Sequence, residues 1–506
     1  MGNTSLKPSV ILVADRTLCS NYRILFEGIF ATMQTTKVPE LAMKRLVSPP
    51  MPIDSHGRAK AAPLGLRRME SALIKQGIVK ENEVVCTTPE GLPKLLGPWV
   101  KVLGVSSSDP LGQGMSNTTT DKFWSGELYT RYWTAKMMAD MKKAKQQYGF
   151  QVVGGGAGAW QWMNNPQEAE NQGIDTLFVG YGEAKGADLI RRLLKKEDFS
   201  PVMEEEGTAG EHIPPIHHPS LLGIVELSRG CGKGCRFCTL SKKSMYHLPA
   251  DTILSDMETN VANGITSVVS GSEDFFRYGA SGSEINFETL RNLLVDMKQI
   301  KGLSFMQIDH ANISSVLQMT DEQLKEIRAL LQWQQKTDYL WINMGVESAN
   351  GRLVAANSPG KIHPFDPENW ESMVKEAVDR LSRTGFFPVL SLILGLPGET
   401  EEDINRTIKL VDDISRQPAV VFPVFYEPVL PGEPKFSLEH MTQKHLALYT
   451  QCYEINFKYV PLMYWDNQRA GGVPWHQRAL IRLLGKTEMQ AWRKRFRQLE
   501  STLSSK

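Results

Sequence analysis

The sequence predicts an α/β fold in three parts. A doubly wound, Rossmann-like domain spans residues 1–205, a partial (β/α)6 barrel spans 206–432, and a mainly helical segment spans 433–506. Three observations predict this. Short apolar runs alternate with helical periodicity through the first domain, with glycine- or serine-rich turns after the strands. The alternation restarts at Leu222 with a longer period, about 40 residues, as in a strand–helix barrel. After Pro431 and Gly432 the strand signals stop, and helical, aromatic-rich sequence follows.

In chain order, residues 10–14 form the first strand candidate and lead into the loop 15–20. Residues 64–76 read as a helix, with Leu66, Met69, Leu73 and Ile74 at helical spacing. A second strand at 99–105 runs into a polar loop at 106–113, and a Lys-rich helix follows at 133–147. Strands at 150–153 and 176–179 break at Gly154, Gly155 and Gly156 and at Gly180, Tyr181 and Gly182. A helix at 187–194 follows the second break. Residues 204–220 (EEEGTAGEHIPPIHHPS) read as a solvated linker and domain boundary, with His212, His217 and His218 as linker residues and not metal ligands. The barrel strands fall at 224–227, 266–269, 304–308, 341–345, 389–394 and 420–425, with helices such as 322–334 and 369–384 between them.

Composition narrows the function classes. The 506 residues carry 57 Lys plus Arg against 56 Asp plus Glu, a net charge of +1 that supplies no field for nucleic acid or anionic lipid. Hydrophobic residues make up 41% and charged residues 22%, which excludes a disordered or collagen-like chain. The longest apolar stretches, near 386–396 and 419–430, fall short of the ~20 residues of a membrane span and contain proline. The opening MGNTSLKPSV has neither a signal-peptide core nor a myristoylation pattern. The expectation is a cytoplasmic protein with no membrane or nucleic-acid partner.

Six cysteines in a chain this long make no disulfide framework. Cys19, Cys86 and Cys452 are scattered, whereas Cys231, Cys235 and Cys238 share the run RGCGKGCRFC from Arg229 to Cys238, directly after the first barrel strand. Three thiolates in one loop cover one face of a metal centre. Structural zinc and ordinary iron–sulfur cubanes take four ligands, and no fourth cysteine lies nearby. A redox cluster with one open position would bind a substrate or cofactor directly. Gly230, Gly232 and Gly234 let the loop wrap closely, and Arg229, Lys233 and Arg236 favour thiolates. The competing reading is a zinc loop completed by His247.

This C-x₃-C-x₂-C spacing, with Phe237 before the third cysteine, resembles the signature of radical S-adenosylmethionine (SAM) enzymes. Further segments match that superfamily in order. Ser270, Gly271, Ser272, Glu273 and Asp274 follow the second strand, where the family holds the amino group of SAM. Ser272 stands where glycine is frequent. Gly345, Val346, Glu347 and Ser348 resemble the segment near the ribose and methionine moiety. Residues 392–400, with Gly395 and Leu396, resemble the turn beside the adenine, and residues 428–432 resemble the end of the sixth strand. The resemblance implies a [4Fe-4S] cluster on the three cysteines, SAM on its open iron, and an electron donor such as ferredoxin or flavodoxin.

The first domain resembles the cobalamin-binding domain of class B radical SAM enzymes. Pro63, Leu64, Gly65 and Leu66 match it, as do the loop Ser106, Ser107 and Ser108, the turn Gly154, Gly155 and Gly156, and Gly180, Gly182 and Glu183 after the next strand. Serine hydroxyls would meet the nucleotide tail, and glycines would let the backbone approach the macrocycle. A plain Rossmann-like domain with another ligand is the alternative. The motif Asp-x-His-x-x-Gly, which supplies a lower cobalt ligand in other corrinoid proteins, is missing, and His56 is the only histidine before residue 200. The resemblance therefore implies cobalamin, and methylcobalamin in the reaction, without a histidine below the cobalt.

Asp309 and His310 end the third barrel strand and Glu427 the sixth, positions suited to placing a substrate or moving a proton. As a whole the chain resembles a cobalamin-dependent radical SAM C-methyltransferase acting on an unactivated sp³ carbon. Residues 10–17, 62–66 and 308–312 are most similar to archaeal members, among them those that methylate a glutamine of methyl-coenzyme M reductase. A protein or peptide substrate is then expected, with the aromatic C-terminal segment as one wall of its site. The alternatives are a cobalamin-dependent cyclase or rearrangement enzyme on a tetrapyrrole or small metabolite, and a non-catalytic corrinoid sensor or carrier. Methylthiotransferases need further N-terminal cysteines for a second cluster, and only Cys19 and Cys86 are present there.

Overall fold

The computed structural model describes residues 6–504 and divides into two compact units. The first comprises residues 1–225 and 249–265, the second 226–248 and 266–506.

The first unit is built on a six-stranded parallel sheet of β1 (Val10–Ala14), β2 (Val84–Thr87), β3 (Val102–Ser106), β4 (Gln151–Gly155), β5 (Thr176–Val179) and β6 (Val202–Glu204), in the order β2-β1-β3-β4-β5-β6. Its strands feed two cores by strict alternation. Val10, Leu12 and Ala14 face one side with Cys86, Val102, Val153 and Phe178. Ile11 and Val13 face the other with Val85, Leu103, Val105, Val152 and Leu177. The helix Lys185–Lys195 brings Leu189, Ile190 and Leu193 to the first face. The helix Tyr129–Tyr148 brings Met137, Met138 and Met141, spaced about one helical turn apart, to the second. Two strands, β2 and β6, escape the sequence pattern. β2 has only four residues, and β6 is a three-residue edge strand with exposed ends, so neither shows a measurable period.

Residues 204–220 are not a solvated linker. Ile213 and Ile216 are buried, and the segment is bonded into the first unit. Arg68, fully buried, donates to Pro214 O at 2.5 Å and to Asp256 Oδ1 at 3.0 Å, while Ile216 N–H donates to the same Asp256 oxygen at 2.9 Å. His217 N–H donates to Ser71 Oγ, and Ser220 N–H to Asn260 Oδ1. His218 lies 3.2 Å from Glu70, whose carboxyl burial would raise, yet the Arg67 guanidinium and His218 hold it down at about 2. These bonds explain why the helix Ala250–Ala262, which carries Asp256 and Asn260, counts with the first unit although barrel sequence flanks it.

The chain passes from the first unit to the second within β7 (Ile224–Glu226), which leads into a two-stranded hairpin of β8 (Ser228–Arg229) and β9 (Tyr246–His247). Then come the parallel strands β10 (Ser267–Gly271), β11 (Phe305–Ile308), β12 (Trp341–Glu347), β13 (Phe387–Leu394) and β14 (Val420–Phe425). Two sheets, β11-β10-β7 and β12-β13-β14, meet at a single parallel bridge between His310 and Asn343, which makes one six-stranded arc in chain order. This is the partial barrel expected from the sequence.

The arc's outer edge is closed by the helix Gln443–Ala470. Buried Asn456 donates to Val421 O at 2.7 Å and accepts from Val421 N–H at 2.8 Å, standing in for a neighbouring strand. Several aromatics of this helix and of the helix Trp475–Ser504 pack into a core, while Trp475 is exposed. Tyr449 stacks on Tyr453 at 4.9 Å, Trp492 and Phe496 pack on Tyr453, and Phe425 of β14 meets Tyr449 at 5.9 Å. Cys452 is fully buried among them.

Candidate active site

The cysteine loop is cut out by the β8–β9 hairpin, which pairs Ser228 with His247 and Arg229 with Tyr246 and so fixes both loop ends. Inside it, Cys231 N–H donates to Lys243 O, Gly234 N–H donates to Ser241 O, and Ser241 Oγ donates to the carbonyls of Cys235 and Cys238 at 2.7 and 2.8 Å. Gly230 has a φ of +73°, and a Cβ there would stand 2.8 Å from Lys243 O, so only glycine makes this turn. Arg277 donates to Cys231 O at 3.1 Å and clamps the loop from the segment after β10.

Burial pushes the Cys231 thiol up and the Cys238 thiol up to about 11, and their cysteine neighbours add to both shifts. Bare thiols here hold their protons, and a metal centre must displace them. Among the described residues no three His, Cys, Asp or Glu side chains converge tightly enough to enclose one ion. Thiols that each serve a different iron of a cluster need no such convergence, and the donor set of three cysteines on one glycine-rich loop fits [4Fe-4S]. The scattered cysteines stay out of it. Cys19 and Cys86 sit in the first unit's core with their thiols toward Ala14 O and Leu66 O. His247 is committed to the hairpin base, 3.2 Å from Ala280 O and edge-on to Tyr278.

Around the loop the ends of β10, β11 and β12 bring titratable groups together. Ser272 Oγ lies 2.5 Å from Ser228 Oγ, so the serine found where glycine is frequent ties the second strand to the hairpin. Glu273 is half-buried, and burial raises its carboxyl. Asp309 lies 2.9 Å from His310 Nδ1, and His310 Nε2 is 2.9 Å from Asn343 Nδ2 across the seam between the two sheets. Burial opposes the His310 charge, but Asp309 and Glu273 outweigh it and raise the imidazolium to about 9. Glu347 sits on left-handed backbone (φ +62°), where the β12–β13 register slips, and ion-pairs with Lys361. Ser348 is buried, and its carbonyl accepts from Trp370 Nε1.

Gly395 (φ +79°) donates its N–H to Glu399 Oε2, which also meets His445 Nε2 at 3.0 Å, and buried Leu396 closes the turn. The space beside Gly395 is filled by the Phe436 ring, so this glycine is required by packing. Glu427 lies apart from the Asp309–His310 pair at the end of β14, with Lys435 at 3.9 Å. Sequence reasoning missed Asp274, Arg277 and Lys361. Asp274 is fully buried and accepts from Asn312 N–H at 3.2 Å and Ser315 Oγ at 2.6 Å, with Lys233 of the cysteine loop at 4.0 Å. The Asp274 signal lay inside the 270–274 segment; Arg277 and Lys361 had none.

In the first unit the residues matched to cobalamin serve partly other ends. Gly156 (φ +88°) is needed because a Cβ would strike Ser107 N at 3.0 Å and O at 2.9 Å, while Gly154 makes room for Ile174 and Leu177. A side chain at Gly180 would meet Glu205, and one at Gly182 would meet Met69 at 3.2 Å. At these four glycines a side chain would strike neighbouring protein atoms, so local packing already requires glycine there. Ser107 is buried with Oγ 3.4 Å from Thr134 Oγ1, Ser106 and Ser108 are half-buried, Gly155 meets nothing closer than 3.6 Å, and Glu183 and Leu64 are buried. Gly65 is exposed with open space around it.

The strand order, not the strand direction, reverses between β1 and β3, the switch point where open α/β sheets bind ligands at the strand C-termini. Three polar atoms near this point, Asp15 Oδ2, Asn117 Oδ1 and Thr130 Oγ1, are buried without a hydrogen-bond partner. Buried acceptors left open in this way suit a ligand rich in amide and hydroxyl donors, as a corrinoid is.

Fold and cysteine loop together define a class. Residues 225–411, which include the cysteine loop and most of the barrel arc, match the family model described as the Radical SAM superfamily. Among curated proteins the chain is 24% identical over 253 residues to a tRNA-2-methylthio-N(6)-dimethylallyladenosine synthase of Nitrosomonas europaea, covering 49% of this chain and 52% of that one. The same enzyme of Syntrophomonas wolfei is 24% identical over 262 residues, 51% and 55% of the two chains. The chain spans about half the length of these relatives. The solved structure of TsrM from Kitasatospora setae, a radical SAM methyltransferase with cobalamin and [4Fe-4S] cluster bound, shares the fold. Its TM-score is 0.52 at 13% identity, covering 84% of this chain and 74% of that one.

Proposed function

We propose that this protein is a cobalamin-dependent radical SAM methyltransferase that adds a methyl group to an unactivated sp³ carbon. The observation that carries the reading is the three-cysteine loop, pinned by its own hairpin at the start of a six-stranded arc and joined to a parallel α/β unit with open buried acceptors at its switch point. Cys231, Cys235 and Cys238 would hold the cluster. Gly271, Ser272, Glu273, Glu347, Ser348, Gly395 and Leu396 would line the SAM site, and the first unit would hold the corrinoid. Bound together, these groups supply a carbon-centred radical and a transferable methyl group.

The chain's own residues do the positioning. Arg277, Lys233 and Asp274 fix the loop. The Asp309–His310 pair, joined to Asn343 across the seam, would position polar groups of the substrate near the ends of β11 and β12. Glu427 would meet the substrate from the far end of the arc. The substrate assigned is a protein side chain, with a glutamine of methyl-coenzyme M reductase as first choice, and it rests on the sequence resemblance of residues 10–17, 62–66 and 308–312. Methylthiolation is disfavoured because the first unit offers only Cys19 and Cys86, both locked in its core.

The test is anaerobic analysis of the purified protein for iron, sulfide and cobalt, followed by SAM, a one-electron reductant and glutamine peptides. Methylated peptide with deoxyadenosine supports the reading. Deoxyadenosine with a rearranged small molecule points to the cyclase alternative, and a corrinoid with neither iron nor SAM cleavage points to a carrier.

A further inference from the structure

The proposed chemistry gives Glu347 a place at the SAM site but leaves its buried partner, Lys361, without a role. Glu347 and Lys361 are ion-paired with side chains only 4% and 11% exposed, and an unpaired charge at that depth is costly. Glu347 adopts a backbone conformation unfavourable to any residue but glycine, which surrounding structure must enforce. Gly345 makes the room, since any Cβ there would collide with both the carboxylate and the ammonium.

Lys361 is carried by the segment that underlies the cysteine loop. Arg236 N–H donates to Asn357 O at 3.0 Å, Gly360 N–H donates to Lys233 O at 2.8 Å, and Asn312 Nδ2 donates to Lys361 O at 3.2 Å. The segment carrying the lysine is thus fixed to the loop by backbone bonds, with its ammonium paired to Glu347. The other cations are placed differently. Arg229 is bound to Glu226 at 2.7 and 2.9 Å, Arg236 is half-exposed beside Glu433, Arg277 is engaged with Cys231 O at 3.1 Å, and Lys233, the first cation acting on Cys231, is shared with Asp274 at 4.0 Å. Burial works against the Lys361 charge, and Cys235 is the first group working for it.

We propose that Lys361 is the fixed counter-cation of the cluster on Cys231, Cys235 and Cys238, held by Glu347, and that its charge raises the cluster's reduction potential. A fixed positive charge in a poorly solvated site stabilises the reduced, more negative form of a cluster, and Glu347 offsets part of that effect. This rests on the reading of the loop as a cluster site.

The experiment is an EPR-monitored redox titration of the full-length protein without SAM, with iron and sulfide measured first. Absence of iron from the wild type would sink the cluster reading itself. With iron present, Lys361→Met should shift the midpoint to more negative potential, Lys361→Arg should keep it near wild type, and Glu347→Gln should shift it to more positive potential. Should Lys361→Met not retain iron, Glu347→Gln decides alone, and an unchanged or more negative midpoint there overturns the proposal. A Lys361→Met protein with wild-type iron, wild-type potential and only weaker SAM binding also overturns it, and assigns the lysine to SAM.

Discussion

The two units are both parallel α/β assemblies, yet they treat the ends of their strands in opposite ways. In the first, β1 is apolar to its last residue and buried on both faces, and the loops beyond are packed tightly by glycines. Beyond them Arg16 ion-pairs with Glu90 and Asp109 binds Asn117 and Gln161, while three buried polar atoms, Asp15 Oδ2, Asn117 Oδ1 and Thr130 Oγ1, lack partners. In the second, the ends of β10 to β12 are crowded with paired charges: Glu273, Asp309 with His310, Glu347 with Lys361, and Lys233 with Asp274. The difference accords with the proposed division, a corrinoid in the first unit and a cluster with SAM in the second. A large neutral ligand needs shape and uncommitted acceptors, whereas a redox centre and a charged cosubstrate need fixed charge in a site that water does not screen.

The comparison is broken most sharply by removing the thiols. Cys231, Cys235 and Cys238 replaced together by alanine should abolish iron, sulfide and SAM cleavage, and corrinoid binding followed by its visible spectrum should persist. Wild-type iron in that variant would falsify the cluster assignment. Next in size is the charge buried in the first unit. Asp256→Ala removes the carboxylate facing fully buried Arg68 and should cost about 3–5 kcal/mol in urea unfolding, with per-chain iron unchanged in the folded fraction.

Smaller is Gly395→Ala, which forces a side chain onto left-handed backbone against Phe436. It should lower stability by more than about 1 kcal/mol, read as a reduced unfolding midpoint, with iron content kept.

The Asp309–His310 pair sharpens the contrast through pH. Because the folded imidazolium is raised to about 9, its stabilising contribution is complete below the ordinary histidine value of 6.5 and is lost as pH rises through 9. Histidine-selective NMR should find this high value, and Asp309→Asn should bring it down. The least effect is expected of Cys19→Ser. That thiol packs in the first unit's core, and iron content should be that of wild type.

Much of this was legible in one dimension because its physical causes are local. The strand runs, the glycine turns and the spacing of Cys231, Cys235 and Cys238 are short-range features, so the doubly wound sheet, the six-stranded arc and the metal loop follow from them. Asp309 and His310 could be placed at a strand end, but not against Asn343, because that contact exists only where two sheets meet. Residues 204–220 looked like a linker because proline and histidine carry no period. Their order comes from Arg68, Asp256 and Asn260, residues distant in sequence. In the C-terminal segment sequence shows aromatic density but not partners, and only the fold shows that Tyr449, Tyr453, Trp492 and Phe496 pack on one another while Trp475 is exposed. Lys361 had no signal at all. A lone lysine in a loop is ordinary until the fold buries it beside Glu347 and the thiols, because burial and charge proximity are properties of three-dimensional packing and not of order along the chain.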